Sequence, residues 1–272
     1  MYPAERHDVI VALAHAHGGT VVVAELSQRL GVATETVRRD LAILERRGVL
    51  RRKHGGASLV EQAPFELPLE KRDDTESVER HAIATLVVER LPADAVVMLD
   101  SGSMTLEIAR QLPDDRRLMI VTNSLPVAAV LAGRPRLTVL VLPGRLRAVT
   151  HATVGDWAHR QLRELRADIA VIGANGVEID SGVLTTLPEE VEIKRGMMRS
   201  ARRRILAVTA SKFSTDSLCR VARLDEFDVV ATDDRLDADT VDALNSAGPE
   251  LLLANPRTGQ APAPTTQPKG PS

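Results

Sequence analysis

Between residues 95 and 231 the chain alternates short apolar runs with amphipathic stretches, and few folds accommodate that pattern. The runs are Ala95–Leu99, Leu118–Val121, Leu137–Leu142, Ile169–Ile172, Ile205–Val208 and Val229–Ala231. Each is only a few residues long and dominated by Val, Ile, Leu and Ala, as expected of a strand buried on both faces. Helical periodicity falls between them, over Thr105–Leu112, Pro126–Leu131, Asp156–Leu165 and Glu189–Arg202. Strands separated by helices pair in parallel through crossovers. This half therefore reads as α/β, a Rossmann-like domain with a largely parallel sheet covered on both faces. Ligands on such sheets bind beyond the carboxyl ends of the strands, so the residues after each run are the candidate functional loops.

Those exits are polar. The first run leads through Asp100, Ser101, Gly102, Ser103, Met104 and Thr105 into a helix. Gly102 admits close backbone approach, Ser103 offers a hydroxyl, and the amides of a helix start carry positive partial charge, which suits a phosphate or carboxylate. Capping alone also favours Gly, Ser and Asp at such a junction. Asn123 follows the second run, Gly144 and Arg145 the third, Gly173 the fourth and Lys212 the fifth. Glu190 and Lys194 stand i,i+4 near the start of a helix, a spacing that a surface ion pair explains equally well. The candidate effector-binding set is thus Asp100, Gly102, Ser103, Met104, Thr105, Asn123, Gly144, Arg145, Gly173, Glu190, Lys194 and Lys212. A rim of cations, amides and hydroxyls suits a polyhydroxylated anion.

The first 57 residues have a different character. Along Ala33–Gly48, Val37, Leu41 and Leu44 share one helical face at i, i+4 and i+7. Glu35, Arg39, Ala42 and Arg46 take the opposite side, with Thr36 and Arg38 on its flanks. Thr34 is placed to cap the helix and Gly48 to end it. Upstream, residues 4–17 and Ala24–Leu30 read as two further helices, the second joined to Ala33–Gly48 by Gly31 and Val32. Nothing caps the second helix near Thr20–Val23, at a cost of about 1 kcal/mol. Helix, tight turn and helix make a helix-turn-helix, whose second helix enters the DNA major groove. Beyond it, Val49–Ala57 reads as two strands around Gly55-Gly56, a wing that brings Arg51, Arg52, Lys53 and His54 beside phosphates. From Arg29 to Gly56 the basic residues 29, 38, 39, 46, 47, 51, 52 and 53 face only three acids, 35, 40 and 45. The whole chain has a net charge of −2, so the basic block is local, as a double-stranded DNA footprint requires. Thr34, Glu35, Thr36, Arg38, Arg39, Arg46, Arg51, Arg52, Lys53 and His54 form the candidate DNA-binding set.

The chain's 272 residues suit two domains. We expect a winged helix-turn-helix at 1–57, a linker at 58–76, an effector domain at 77–253 that opens with a helix over Ser77–Leu91, and a disordered Pro-rich tail at 254–272. Aromatic residues are 2% of the chain, which disfavours base stacking on single strands or RNA. Cys219 is the sole cysteine, so neither an internal disulfide nor a cysteine metal site is expected, and no cofactor is implied. The N-terminus lacks a signal peptide's apolar core and no run is long enough to span a bilayer, which predicts a cytoplasmic protein without a membrane partner.

The sequence resembles the DeoR family of bacterial transcription regulators up to about Leu253. The resemblance rests on Thr36-Val37-Arg38-Arg39-Asp40-Leu41 and His54-Gly55-Gly56-Ala57 in the first domain. In the second it rests on Asp100-x-Gly102-Ser103, Val121-Thr122-Asn123-Ser124, Pro143-Gly144 with Arg147, Gly155, Glu190-Val191 with Lys194-Arg195, and Ser211-Lys212-Phe213. It implies a repressor-like protein whose sensor domain is similar to ribose-5-phosphate isomerase, which answers to phosphorylated sugars or related metabolites, and which works as a dimer or tetramer. Two positions depart from the family's pattern. Ser103-Met104 stands where Thr-Thr is usual, and Thr209-Ala210 replaces an Asp-His pair, so both changes remove polar groups from the inferred pocket. A competing reading is a sugar-phosphate isomerase or transferase with an accessory DNA-binding domain, because Glu190 with Lys194 or Lys212 supplies a base and a cation. A nucleoid-like structural DNA binder leaves the α/β half without a purpose.

Overall fold

A computed structural model describes residues 3–16, 20–46, 50–53, 55–59, 69 and 76–256, and for residues 3–5, 8, 15, 16, 20, 46, 50–53, 58 and 59 it describes the backbone alone. The chain divides into two compact units, Met1–Phe65 and Glu66–Ser272.

In the first unit, α1 (Pro3–Ala16), β1 (Thr20–Val22), α2 (Val23–Leu30) and α3 (Thr34–Arg46) precede the strands β2 (Leu50–Lys53) and β3 (Gly56–Leu59). Ile10, Ala14, Val21, Leu26, Val37, Leu41, Leu44 and Ala57 form its core, so the Val37-Leu41-Leu44 stripe is buried as its spacing requires. Gly31 ends α2 in the left-handed region at φ 63°, and its N–H donates to the Ser27 carbonyl. The Ser27 hydroxyl donates to the Val32 carbonyl at 2.6 Å, which fixes the turn.

Three details differ from the sequence reading. Thr34 is the first helical residue rather than the cap, because the Ala33 carbonyl accepts from the N–H groups of Thr36 and Val37. Thr20–Val22 forms a strand, so the small antiparallel sheet has the order β1-β3-β2. The uncapped start of α2 is served by tertiary structure, since the Val23 N–H donates to the Gly55 carbonyl at 2.9 Å. A Cβ on Gly56 would stand 2.1 Å from the Val21 carbonyl oxygen, so only glycine lets β3 lie this close to β1. Gly48 and His54 lie outside the described residues.

The second unit begins with α4 (Ser77–Glu89), β4 (Asp94–Leu99), α5 (Ser103–Gln111), β5 (Arg117–Thr122), α6 (Leu125–Leu131) and β6 (Leu137–Val141). A small hairpin of β7 (Arg145–Leu146) and β8 (Thr153–Val154) leads to α7 (Asp156–Arg163) and β9 (Ala167–Ile172). Then come β10 (Gly176–Glu178), β11 (Gly182–Thr185), α8 (Pro188–Ser200), β12 (Ala201–Ala207), β13 (Cys219–Ala222), β14 (Val229–Asp233), α9 (Ala238–Ala247) and β15 (Glu250–Ala254).

Seven strands in the order β15-β14-β12-β9-β4-β5-β6 make one sheet, and every pairing in it is parallel. Alternate residues feed opposite faces. Val97, Leu99, Ile169, Val171, Ile205 and Ala207 pack with α4, α5 and α6, whereas Met98, Ala170, Ile172, Leu206 and Val230 pack with α7, α8 and α9. Burial on both faces explains why the inner strands read as continuous apolar runs, whereas the edge strand β6, expected to be buried likewise, is half-buried or exposed along its length because no strand covers its outer side.

The sequence did not show β15 or α9. Leu251–Leu253 lacks the β-branched residues that mark a strand, and α9 offers too sparse an apolar stripe. Within the stretch read as a linker, Leu69 is buried in the sheet's core and its N–H donates to the Val149 carbonyl. Apart from 58, 59, Leu69 and Glu76, that stretch lies outside the described residues, as does the tail from 257. Among the described residues no helix is long and apolar enough to cross a membrane.

Candidate functional site

On α3 the buried stripe turns the remaining side chains outward. Thr34, Glu35, Arg38 and Arg39 are exposed and Thr36 is half-buried. Glu35 meets Arg38 at 3.5 Å across two well-exposed side chains, a contact worth little in water. The i,i+4 pairing of Glu35 with Arg39 does not form, and Arg39 has no ion-pair partner among the described residues. The side chains of Arg46, Arg51, Arg52 and Lys53 lie outside the described residues, although their backbones belong to α3 and β2.

Asp40 has a different task from its neighbours. It is buried, and its carboxylate takes the Arg6 guanidinium in a fork at 2.6 and 3.0 Å and meets His7 Nε2 at 3.1 Å. Burial pushes its pKa up, but the Arg6 and His7 hydrogen bonds outweigh that and hold the carboxyl below its ordinary range. Asp40 thus ties α3, which bears the exposed arginines, to α1.

In the second unit, the carboxyl ends of β4, β9 and β12 open into a cavity of about 70 Å3. The first turn of α5, residues 102–105, forms one wall. Gly173 and Ala174 after β9, and Thr209 and Lys212 after β12, form others, and Glu190 and Lys194 of α8 complete it. Gly102 precedes α5 at φ 132° with no side-chain cap, so the first amides of the helix keep their outward donors. Asp100 lies just behind the wall. It accepts from Lys194 Nζ and from the Gly173 N–H at 3.1 Å, and Lys194 also donates to the Gly173 carbonyl at 3.0 Å. One buried ion pair therefore joins β4, β9 and α8.

Glu190 accepts from Arg147 and from the Thr185 hydroxyl at 2.7 Å. With Glu190 and Arg147 exposing only 5% and 9% of their side chains, this carboxylate is charge-matched rather than poised as a free base. Met104 is 7% exposed and belongs to the apolar core, yet it also borders the cavity. Thr105 is fully buried and its hydroxyl turns back to the Gly102 carbonyl.

Three of the candidate residues lie elsewhere. Asn123 is buried and donates to the Thr153 carbonyl at 3.1 Å, fastening the β7–β8 hairpin to β5. Gly144 lets the chain pass β8, because a Cβ there would stand 2.6 Å from the Val154 carbonyl oxygen. Arg145 is exposed and pairs with Glu189 at the surface. None of them lines the cavity, since each sits on the hairpin side of its strand end.

Further lining residues, chiefly Glu76 and Arg80 of the α4 region, are ones that strand-end reasoning passes over. Glu76 takes the positive φ of 53° just before α4. Its carboxylate accepts from Thr209, Ser211 and Arg235 at 3.0, 2.9 and 2.7 Å. Those bonds, Arg235 foremost, override the upward push of burial and keep Glu76 ionised. Both residues precede the first strand, where no strand-end rule looks.

Residues 6–63 match the DeoR-like helix-turn-helix domain and residues 75–234 the DeoR C terminal sensor domain. The chain is 36% identical to the HTH-type transcriptional regulator GlpR of Haloferax volcanii, over 91% of this chain and 96% of that protein. It is 31% identical to a putative aga operon transcriptional repressor of Escherichia coli O157:H7, over 86% and 88% of the two chains. It is 29% identical to the glycerol-3-phosphate regulon repressor of Escherichia coli K12, over 86% and 92%. This chain spans 88–96% of these relatives, each named as a regulator or repressor, which sets the isomerase and transferase reading aside. With an exposed arginine face on a helix-turn-helix and a cavity at the strand ends of the second unit, this chain belongs to the DeoR family of DNA-binding transcription regulators.

Proposed function

We propose that the protein is a repressor that holds operator DNA through α3 and its wing, and releases it when a small phosphorylated sugar or polyol enters the cavity. On the DNA side the contacts fall to Thr34, Glu35, Thr36, Arg38, Arg39, Arg46, Arg51, Arg52, Lys53 and His54. On the sensor side, the observation that carries the reading is the uncapped start of α5 facing Arg80, Lys194 and Lys212 across one cavity. Amides and cations together take a phosphate, and Glu190, Asn175 and Thr150 offer acceptors and donors to hydroxyls. The cavity is small, about 70 Å3 against the roughly 300–1,000 Å3 of drug-sized ligand pockets, which favours a short polyol phosphate over a nucleotide. A relative named for the glycerol-3-phosphate regulon supports the same ligand class.

A homo-oligomer completes the proposal, because operator specificity of this kind calls for two modules on two half-sites. Met119, Leu140, Val141, Leu146 and Trp157 are exposed large apolar residues of the second unit. Met119 of β5 and Leu140 of the edge strand β6 share one face of the sheet, a surface suited to a second copy.

The test pairs thermal unfolding in a panel of sugar and polyol phosphates with fluorescence anisotropy on DNA from the gene's own upstream region. At least one compound should raise the melting temperature and weaken DNA binding tenfold or more. A panel without such a compound, while DNA binding is intact, would reject the ligand class.

A further inference from the structure

Away from the cavity, five arginines line a single groove of about 410 Å3: Arg195 and Arg199 of α8, Arg204 of β12, Arg220 of β13, and Arg223 just after it. We propose that this groove is a second anion-binding site, for a phosphate-bearing organic ligand of nucleotide size.

The groove lies apart from the sensor cavity. Arg204 is midway along β12, while Ala207, Val208 and Thr209 at and beyond its end border the cavity. Three to five residues of extended chain separate them by roughly 10–16 Å. On α8, Lys194 serves the cavity and Arg195, one residue on, serves the groove.

Its charge is not balanced locally. Arg223 meets Asp225 at 3.0 Å, and Glu226 is the single acid on the lining. Arg195 is steered by backbone carbonyls instead, donating to Val221 at 2.7 Å and Arg220 at 3.0 Å. Arg204 donates likewise to the Glu226 carbonyl at 2.9 Å. These bonds aim the guanidinium groups without cancelling their charge. The guanidinium groups of Arg195, Arg199, Arg204 and Arg220 have no carboxylate partner among the described residues, the Asp228 carboxylate accepting only from the Arg204 backbone N–H at 2.7 Å. In addition, Arg204 Nε is buried without an acceptor, and a buried donor of that kind asks for a partner. Arginine forks match phosphate oxygens in pairs, and 410 Å3 lies within the range of small-ligand pockets.

The experiment is a calorimetric titration of the full-length protein with inorganic pyrophosphate in 0.15 M salt. It compares the unmodified chain, Arg199→Ala/Arg220→Ala, and Arg145→Ala as a surface-charge control. Arg199 and Arg220 are exposed, so melting curves should confirm that the double variant folds. The unmodified chain and the control should show a saturable binding event that the double variant weakens at least tenfold, as expected when two charge-assisted phosphate contacts go. ADP should then bind more tightly than pyrophosphate at the same site. Identical pyrophosphate isotherms for the double variant and the unmodified chain would overturn the proposal. So would a double variant that changes the sedimenting mass while pyrophosphate binds neither form, which would make the cluster a subunit contact.

Discussion

Replacing Asp40 with alanine should strongly destabilise the DNA-binding unit although Asp40 does not belong to the DNA-facing set. Its carboxylate holds Arg6 bidentately and also meets His7, and the Arg6 and Asp40 side chains are only 10% and 4% exposed. Removing one partner of a buried ion pair costs roughly 3–5 kcal/mol. In a unit this small the surroundings relax on truncation, which places the figure at the low end, about 3 kcal/mol. A domain the size of Met1–Phe65 has roughly 3–10 kcal/mol of stability in all. The loss is therefore a large share of the total, and at about 4–8 °C per kcal/mol it lowers the unit's melting by roughly 12–24 °C.

Differential scanning calorimetry on the full chain should show an early transition for Asp40→Ala while the transition of the sheet domain stays in place. Operator binding should fall in step with that early transition. Asp40→Asn, which keeps the shape and some hydrogen bonds, should lie between. The pH dependence has a definite sign. Because the folded carboxyl sits below its ordinary range, its stabilisation is fully present above the unfolded pKa of about 4. It fades as pH falls through the folded value, so variant and parent should converge in acid. An Asp40→Ala protein melting within about 2 °C of the parent and binding operator normally would refute the reasoning.

Arg39→Ala should weaken operator binding by about 1–3 kcal/mol without changing the melting temperature, and Lys53→Ala should lower the slope of log affinity against log salt by about one. Parallel anisotropy titrations over a salt series distinguish the two, and a folded Arg39→Ala protein with parental affinity would remove α3's outer face from the interface. Met104→Thr should lower the melting of the sheet domain, at roughly the 2–5 kcal/mol scale of truncating a buried methionine, because Met104 belongs to the core. A ligand-affinity gain near tenfold with no loss of stability would instead place that side chain wholly in the cavity. Leu140→Arg on the exposed edge strand should lower the sedimenting mass and weaken operator binding while leaving the melting curve near the parent's. An unchanged mass would exclude that surface as the subunit contact.

The parallel sheet was legible in the sequence because strand burial is a local property: each run from Ala95–Leu99 to Val229–Ala231, the edge run Leu137–Leu142 apart, declares its two buried faces within a few residues. The recognition helix was legible for the same reason, since Val37, Leu41 and Leu44 repeat at the helical period whatever packs against them. Strand ends also pointed to Gly102, Ser103, Gly173 and Lys212, because the polarity of a parallel sheet fixes where its loops gather. Partner choice was not legible. Asp40 reads as one more polar residue of the helix until α1 brings Arg6 and His7 against it. Lys194 looks like the i,i+4 partner of Glu190, yet it donates to Asp100, 94 residues away. Glu190 turns to Arg147 and Thr185, Glu76 reaches Ser211 and Arg235, and Asn123 and Arg145 leave the cavity for the hairpin and the surface. Period and polarity are written residue by residue. Which two charges share a low-dielectric interior depends on how helices and strands far apart in the chain are packed, and only the folded chain sets that distance.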